Sequence, residues 1–417
     1  MPASPRTARA INDRLALRLL QQRGPLTAGQ LKEHTGLSRP SVADLVERLQ
    51  GAGLIAVVGE AGEQRRGPNA RVYGIVADRA HLAALDVRTQ GVAVVVADLL
   101  GAVLAEGALP IDPALGTEPA VEQAVALLES TAREAGAGRL HSVGVGAPGL
   151  IDPGTGELRD STGLPAWHRR LVAALQKEQP AAVLVENETN LAAVAELRAG
   201  AAQDRDTFAY LWLGHGVGAA VVLDGKLRRG ASGGAGEIGF LPVPGTGGLP
   251  SATDCGGGFH ALACSAAICE LAAEHGLLIP QAAPSEPAAA AVVAASAAAV
   301  GQAPGAGSAV AGEGGAPAGG PADPVAAARF LDALADRIAL GAASVTAVLD
   351  PGCVVLGGET GQAGGAALAA RVERRLTALS PLATEVRAGD LGGAAVLRGA
   401  LFTARDAAQD ELFAGPG

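Results

Sequence analysis

Near residue 80 the apolar pattern of this 417-residue chain changes period, and no other feature constrains its fold as strongly. Before that point apolar residues recur at helical spacing in three short runs. After it, Val- and Ala-rich runs of strand length alternate with helical stretches through most of the remaining chain. The first run, Ile11 to Gln22, places Ile11, Leu15, Leu19 and Leu20 on one predicted buried face, and Gly24-Pro25 stops it. Thr27 is suited to cap a second helix reaching about His34, with Ala28 and Leu31 inward. Thr35-Gly36-Leu37 makes a tight turn. Ser38 caps a third helix, Arg39 to Gln50, whose predicted buried stripe is Val42, Leu45, Val46 and Leu49; Gly51 and Gly53 end it. Two strands follow, Leu54–Val58 and Arg71–Val76, on either side of a polar tip. Helix, helix, turn, helix and a two-stranded wing is the order of a winged helix-turn-helix, expected over residues 1–78.

Residues 79–417 are expected to form a second, α/β domain. Within it, residues 280–323 are almost entirely Ala, Gly, Pro and Ser. Such a stretch lacks the bulky side chains that offset ordering entropy, so it reads as a flexible surface insertion with any helix confined to its Ala-rich part. No basic start, apolar run and small-residue cleavage site opens the chain, and no long charge-free apolar stretch suits a bilayer. The four cysteines, Cys255, Cys264, Cys269 and Cys353, form no C-x-x-C pair, so no disulfide framework is expected. The expectation is a cytoplasmic protein without a membrane partner.

Charge divides the chain at the same place as periodicity. Residues 1–80 carry 12 Lys and Arg against 7 Asp and Glu, whereas the remainder carries 20 against 35. A basic head on an acidic body suits a head that meets a polyanion. With aromatics at 2%, stacking on single-stranded bases is an unsuitable main activity, and duplex DNA is the expected partner. The second helix of a helix-turn-helix reads base edges with its N-terminal residues. Here those are Ser38, Arg39, Pro40 and Ser41, with Asp44 and Arg48 farther along. Arg39 can take a guanine through paired donors; Asp44 can accept from a cytosine or orient Arg48. The wing tip carries Arg65, Arg66, Asn69 and Arg71, thin and positive enough for a minor groove or a phosphate ridge.

Four segments of the body carry a more specific pattern. They are Val143-Gly144-Val145-Gly146-Ala147-Pro148-Gly149-Leu150-Ile151-Asp152, then Val185-Glu186-Asn187-Glu188-Thr189-Asn190, then Leu213-Gly214-His215-Gly216-Val217-Gly218 running on to Arg229–Gly239, and Val355-Leu356-Gly357-Gly358-Glu359. Together they resemble the ROK family of repressors, open reading frames and sugar kinases. With a winged head in front, the chain resembles the branch of xylose and N-acetylglucosamine repressors. The resemblance implies a duplicated actin-like, ribonuclease-H-like fold with a sugar in the cleft between lobes, and an oligomer, a homodimer or homotetramer. It also implies that the loop at Gly214–Gly218 matches one that holds ATP phosphate in family kinases. Asn187, Glu188 and Asn190 fall at a strand end, where open α/β sheets bind ligands, and Glu237 sits among glycines that let its carboxylate reach sugar hydroxyls. Asn187, Glu188 and Glu237 are therefore the expected sugar-binding residues. Helix capping by Asn187 and Asn190, and a solvated loop charge at Glu237, are the competing readings.

Departures from the family's kinase pattern argue against catalysis. The family's Asp-x-Gly-Gly-Thr reads Asp86-Val87-Arg88-Thr89 here, so the glycines that make room for phosphate are gone. The general-base Asp of Asn-Asp-x-Asn is Glu188, whose stem is longer by about one bond. No catalytic residue and no cofactor is expected. The family's zinc pattern is broken as well: Phe240 stands where a His is expected, and the best match to the cysteine-rich run is Thr253, Cys255 and His260. Structural zinc needs four ligands, so no metal is expected. The reading is a DNA-binding regulator, a repressor of carbohydrate genes responsive to a sugar or sugar derivative. An active sugar kinase and a ligand-blind dimeric regulator are the alternatives.

Overall fold

The computed structural model describes residues 5–61, 70–112, 114–159, 164–251, 256–280, 287–301 and 323–414. The head contains helix α1 (Pro5–Arg23), strand β1 (Leu26–Thr27), helices α2 (Ala28–Thr35) and α3 (Arg39–Gly51), and wing strands β2 (Ile55–Ala61) and β3 (Ala70–Ile75). The strands form an antiparallel sheet in the order β1-β3-β2. Thr27 and Gln30 make a reciprocal capping box at α2, and Gly36 ends that helix at φ 70°. Ser38 Oγ accepts the Ser41 N–H at 3.3 Å, a cap whose loss costs about 1 kcal/mol. Val42, Leu45, Val46 and Leu49 are all buried, as their spacing predicts.

Helix α1 departs from expectation. Its buried face is Ala16, Leu17 and Leu20, while Ile11 and Leu15 are 57% and 41% exposed. The side chain of Ala16 is small enough to let the helix close on its neighbours, and this rotates Ile11 and Leu15 outward. Of the expected stripe, Leu20 is buried and Leu19 packs partly buried against the core, so the face is shifted rather than missed.

The body contains two five-stranded sheets of identical topology. The first lobe has β4 (His81–Arg88), β5 (Gly91–Asp98), β6 (Val103–Pro110), helix α4 (Thr117–Glu134), β7 (Leu140–Ala147), α5 (Ala166–Glu178), β8 (Ala182–Asn187) and α6 (Glu188–Ala199). The second has β9 (Phe208–Leu213), β10 (Val217–Leu223), β11 (Lys226–Arg228), α7 (His260–Ala263), α8 (Ser265–Glu274), α9 (Ala288–Gly301), α10 (Pro324–Leu349), β12 (Cys353–Gly357), α11 (Gly358–Leu379) and β13 (Glu385–Ala388). The sheet orders are β6-β5-β4-β7-β8 and β11-β10-β9-β12-β13. Each lobe thus has an antiparallel three-stranded meander whose first strand also pairs in parallel with the fourth. This repeated order is the duplicated ribonuclease-H-like, actin-like fold.

The last helix, α12 (Ala395–Phe413), returns to the first lobe and packs on β4, β7 and α6. The approach is backbone-close: a Cβ on Gly144 of β7 would lie 2.2 Å from the Ala400 carbonyl oxygen. The glycine of the Val143-Gly144-Val145-Gly146 run therefore seats a helix here. Residues of α1, α3, β4, α6 and α12 share one continuous apolar core.

The low-complexity stretch holds a surprise. Its Ala-rich part is α9, with Ala289, Ala290, Val292, Val293 and Ser296 buried against α10 and α11. The helix expected in the Ala-rich part is present at residues 288–301, and its burial corrects the expectation of a surface insertion there. Small side chains suit a helix enclosed by two others, because they permit close axial approach without needing bulk of their own. Residues 302–322 lie outside the described residues. Among the described residues no helix is long and apolar enough to cross a membrane.

Candidate functional site

The head presents one polar face. Ser38, Arg39, Pro40, Ser41 and Asp44 are exposed along the start of α3. Arg48 is half-buried: its guanidinium bonds Asp13 of α1 at 2.6 Å and also pairs with Asp44, one turn earlier. Arg48 and Asp44 thus serve each other and tie α3 to α1, the orienting geometry rather than a free pair of base readers. Arg71 is exposed on β3 opposite Glu60. The wing-tip residues Arg65, Arg66 and Asn69 lie outside the described residues.

Between the lobes lies a cavity of about 910 Å³. The first lobe contributes Asp86 and Arg88 from the end of β4 and Asn187 to Asn190 from the β8–α6 junction. The second contributes Trp212, the Gly216–Ala219 bend, Glu237, Phe240 and Glu359. Asn187 caps α6: its Oδ1 accepts from the Thr189 N–H at 2.8 Å, and its amide nitrogen donates to the Gly149 carbonyl at 3.0 Å and to Glu188 Oε2 at 3.1 Å. The capping reading holds for Asn187, and it orients Glu188 at the same time. Asn190 is buried and donates to Glu186 Oε1 at 2.9 Å. Glu186 in turn pairs with Arg229, so this buried carboxylate anchors the loop that carries Glu237. In that loop Gly236, at φ 96°, accepts from the Ala219 N–H at 2.8 Å; a side chain there would collide with the Ala219 carbonyl. This close packing projects Glu237 into the cleft.

Four carboxylates converge on the cleft. Burial pushes the Glu188 carboxyl up to about 8, and the charges of Asp86, Glu237 and Glu359 add to the effect. Burial also raises Asp86, against the pull of Arg88, whose Nε donates to Asp86 Oδ2 at 2.7 Å. Desolvation raises Glu237. A protonated Glu188 at neutral pH is a hydrogen-bond donor and a poor proton acceptor.

The side of the cleft that the sequence resemblance assigns to phosphate is lined by Arg88 and Glu359. Val87 is buried, and Arg88 also donates to the Gly393 carbonyl at 3.0 Å, just ahead of α12. Glu359 stands in the first turn of α11. Its Oε2 is buried without a hydrogen-bond partner, and a Cβ on Gly214 would fall 2.6 Å from it. A helix N-terminus beside a glycine loop is a place where anions bind, and the Glu359 side chain stands there without capping the helix. Sequence reasoning noticed Glu359 as part of a motif but assigned it no role, and missed Trp212 and the Glu186–Arg229 pair. The available signal was a Glu directly after Gly-Gly at a strand-to-helix turn.

At the positions where the family places zinc, Phe240 is exposed to the cleft and His260 opens α7; Thr253 and Cys255 lie outside the described residues. Among the described residues no group of three or more His, Cys, Asp or Glu is arranged to hold a metal ion. Phe240 and Trp212 instead give the cleft two apolar faces.

A winged head followed by two lobes of one repeated topology, with a cleft between them, defines a winged-helix protein on a sugar-kinase scaffold. Residues 82–303, more than half of the chain, match the model of the ROK family, and the chain belongs to that family. Residues 11–67 match the MarR family. The DNA-binding transcriptional dual regulator NagC of Escherichia coli K12 is 28% identical over 238 residues, 56% of this chain and 57% of that protein. A glucokinase of Halalkalibacterium halodurans is 34% identical over 137 residues, 32% of this chain and 41% of the enzyme. The match therefore spans little more than half of the regulator and less than half of the enzyme. The crystal structure of a ROK family transcriptional regulator, a homolog of the E. coli MLC protein, superposes with a TM-score of 0.72 at 20% identity. It covers 97% of this chain and 98% of that one, a likeness of fold.

Proposed function

We propose that this protein is a DNA-binding transcriptional regulator, a repressor of carbohydrate genes, whose DNA affinity is modulated by a sugar or sugar derivative in the interlobe cleft. The observation that carries this reading is the exposed polar start of α3, Ser38 to Ser41, on a winged head fused to that cleft. Relatives of both kinds exist, regulators and kinases, and the cleft separates the two readings. Arg88 and Glu359 occupy the phosphate side, and Glu188, held protonated by burial, is unsuited to take a proton from a sugar hydroxyl. The body acts as a sensor and does not phosphorylate its ligand. Asn187, Glu188 and Glu237 are the polar residues assigned to the sugar, Asn187 by holding Glu188 in place, with Trp212 and Phe240 against its apolar face.

One head reads one half-site, so a homodimer or homotetramer on a palindrome supplies the genomic specificity. Selection of bound fragments from random duplex DNA, followed by gel shifts with a sugar panel, tests the reading. A palindromic consensus whose binding one sugar weakens is the expected result. Binding with no sequence preference, or ATP-dependent phosphorylation of any sugar in the panel, would overturn it.

A further inference from the structure

We infer that the Arg229–Glu186 ion pair is a breakable latch between the two lobes, and that it sets how far the cleft is closed before any ligand arrives. This rests on the reading of the cleft as an effector site and names how that site is regulated. The two partners belong to different lobes: Glu186 lies near the end of β8, and Arg229 directly follows β11. Arg229 opens a glycine-rich strap, residues 229–236, that leads to Glu237. Gly233 and Gly236 of the strap line the cavity, as do Gly149 and Leu150 of the first lobe. The strap is therefore part of the cleft wall where the lobes meet.

The two attachments of the strap differ in kind. On its own lobe it is fixed by backbone. The Ala235 N–H bonds the Arg229 carbonyl at 3.1 Å, closing the strap on itself, and the Ala219 N–H of β10 bonds the Gly236 carbonyl at 2.8 Å. On the first lobe it is held by the Arg229–Glu186 pair and by Gly233, which at φ 84° lies so close to the Ile151 carbonyl that a Cβ would collide with it. Among the described residues no backbone hydrogen bond joins the strap to the first lobe. Separation of the lobes on this side therefore parts at Arg229 and Gly233, not at Gly236.

The chemistry of the joint makes parting reversible. Glu186 is buried, but its other bonds come from its own lobe: the Asn187 N–H at 3.0 Å and the Asn190 side-chain amide at 2.9 Å. When Arg229 leaves, the carboxylate keeps two donors, so release does not strand a bare buried charge. The Arg229 side chain is 49% exposed and passes directly into water. A ligand held by Glu188 on one side and Glu237 on the other bridges the same joint, so latch and ligand stabilise one closed state together.

Acrylamide quenching of tryptophan fluorescence in the ligand-free, full-length protein tests the latch. The chain has two tryptophans. Trp167 is 5% exposed and Trp212 lines the cleft, so quenching reports access to the cleft. Arg229→Gln and Gly233→Ala are each expected to raise the quenching constant about twofold, the first by removing the charge and the second by wedging the strap off Ile151. Arg229→Lys is expected to stay at the parent value, because the contact is made by Nε and a lysine ammonium reaches the same oxygen. Titration calorimetry with glucose, mannose, xylose and N-acetylglucosamine is the second arm. With the closed fraction reduced to about a tenth, any sugar that binds the parent should bind both variants about tenfold more weakly. Quenching unchanged in Arg229→Gln and Gly233→Ala, quenching raised equally in Arg229→Lys, or sugar affinity equal to the parent's in both variants would overturn the latch and leave the effector reading standing. Binding by no sugar in the panel would overturn the effector reading, and the quenching result alone would then decide the latch.

Discussion

Arg14 on the first helix of the head is ion-paired with Asp410 on the last helix of the body, 396 positions away. The opposite end of that helix follows Gly393, whose carbonyl is held by Arg88 in the cleft. Helix α12 therefore spans from ligand cavity to DNA-binding head, with its backbone packed directly against β7 of the first lobe. Both partners of the ion pair are substantially exposed, so it contributes at most about 1 kcal/mol to stability. Its expected role is geometric. Reversing Arg14 to Asp should leave the melting temperature nearly unchanged but reduce the effect of sugar on operator affinity, and adding Asp410→Arg should restore it. Fluorescence anisotropy of labelled operator reads both; a full sugar response in the single variant removes α12 from the coupling.

Arg39→Ala should weaken specific operator binding by about 1–3 kcal/mol, the worth of a lost bidentate guanine contact. Loss of base preference at one operator position should accompany it, while circular dichroism and melting stay as in the parent. Unchanged affinity and unchanged preference in a gel-shift series would remove Arg39 from base readout.

The wing arginines are expected to act differently. Replacing Arg65 and Arg66 together should weaken binding across all duplex sequences and flatten the slope of log affinity against log salt by about one to two. An unaltered slope means that the wing does not touch phosphate.

How far the sequence carries depends on what kind of side chain marks the element. The stripe of α3 and the caps at Thr27 and Ser38 were legible because bulky apolar residues and hydroxyls sit at fixed offsets. Helices α9 and α12 each bury one stripe made largely of small residues, so the buried face carries a weak apolar signal in the sequence. The cleft was legible in Glu188 and Glu237. Arg88 was legible only as a missing glycine; that it pairs with Asp86 and reaches Gly393, 305 positions later, depends on tertiary proximity. Phe240 read as a lost ligand because a motif scores identity, whereas the cleft uses it as an apolar wall.

Glu188 gives the fold a pH signature. Its carboxyl is raised to about 8 in the folded protein against 4.5 for the unfolded chain. Between those values the folded state holds a proton that the unfolded state releases, so stability from this group is full below pH 4.5 and is lost as pH rises toward 8. Glu188→Gln should remove that loss. His168, lowered to about 4 by burial, acts in the other direction and is common to both proteins: its contribution is present above 6.5 and lost as pH falls through 4. The difference in unfolding free energy between parent and variant, measured in urea from pH 4.5 to 8, should therefore shift steadily in favour of the variant. A difference independent of pH would mean that Glu188 is ionised in the cleft.

The central claim is that a sugar in the cleft sets the affinity of the head for DNA. A ligand can do this only so far as it binds two arrangements of the lobes unequally. The most direct measurement is a titration of sugar into the protein–operator complex, followed by anisotropy, for the parent, Glu237→Ala and Glu188→Gln. The account predicts normal operator binding without sugar in all three, a sugar-dependent change in the parent, and little or none in the two variants. An equal response in all three proteins would place the effector elsewhere and contradict the account.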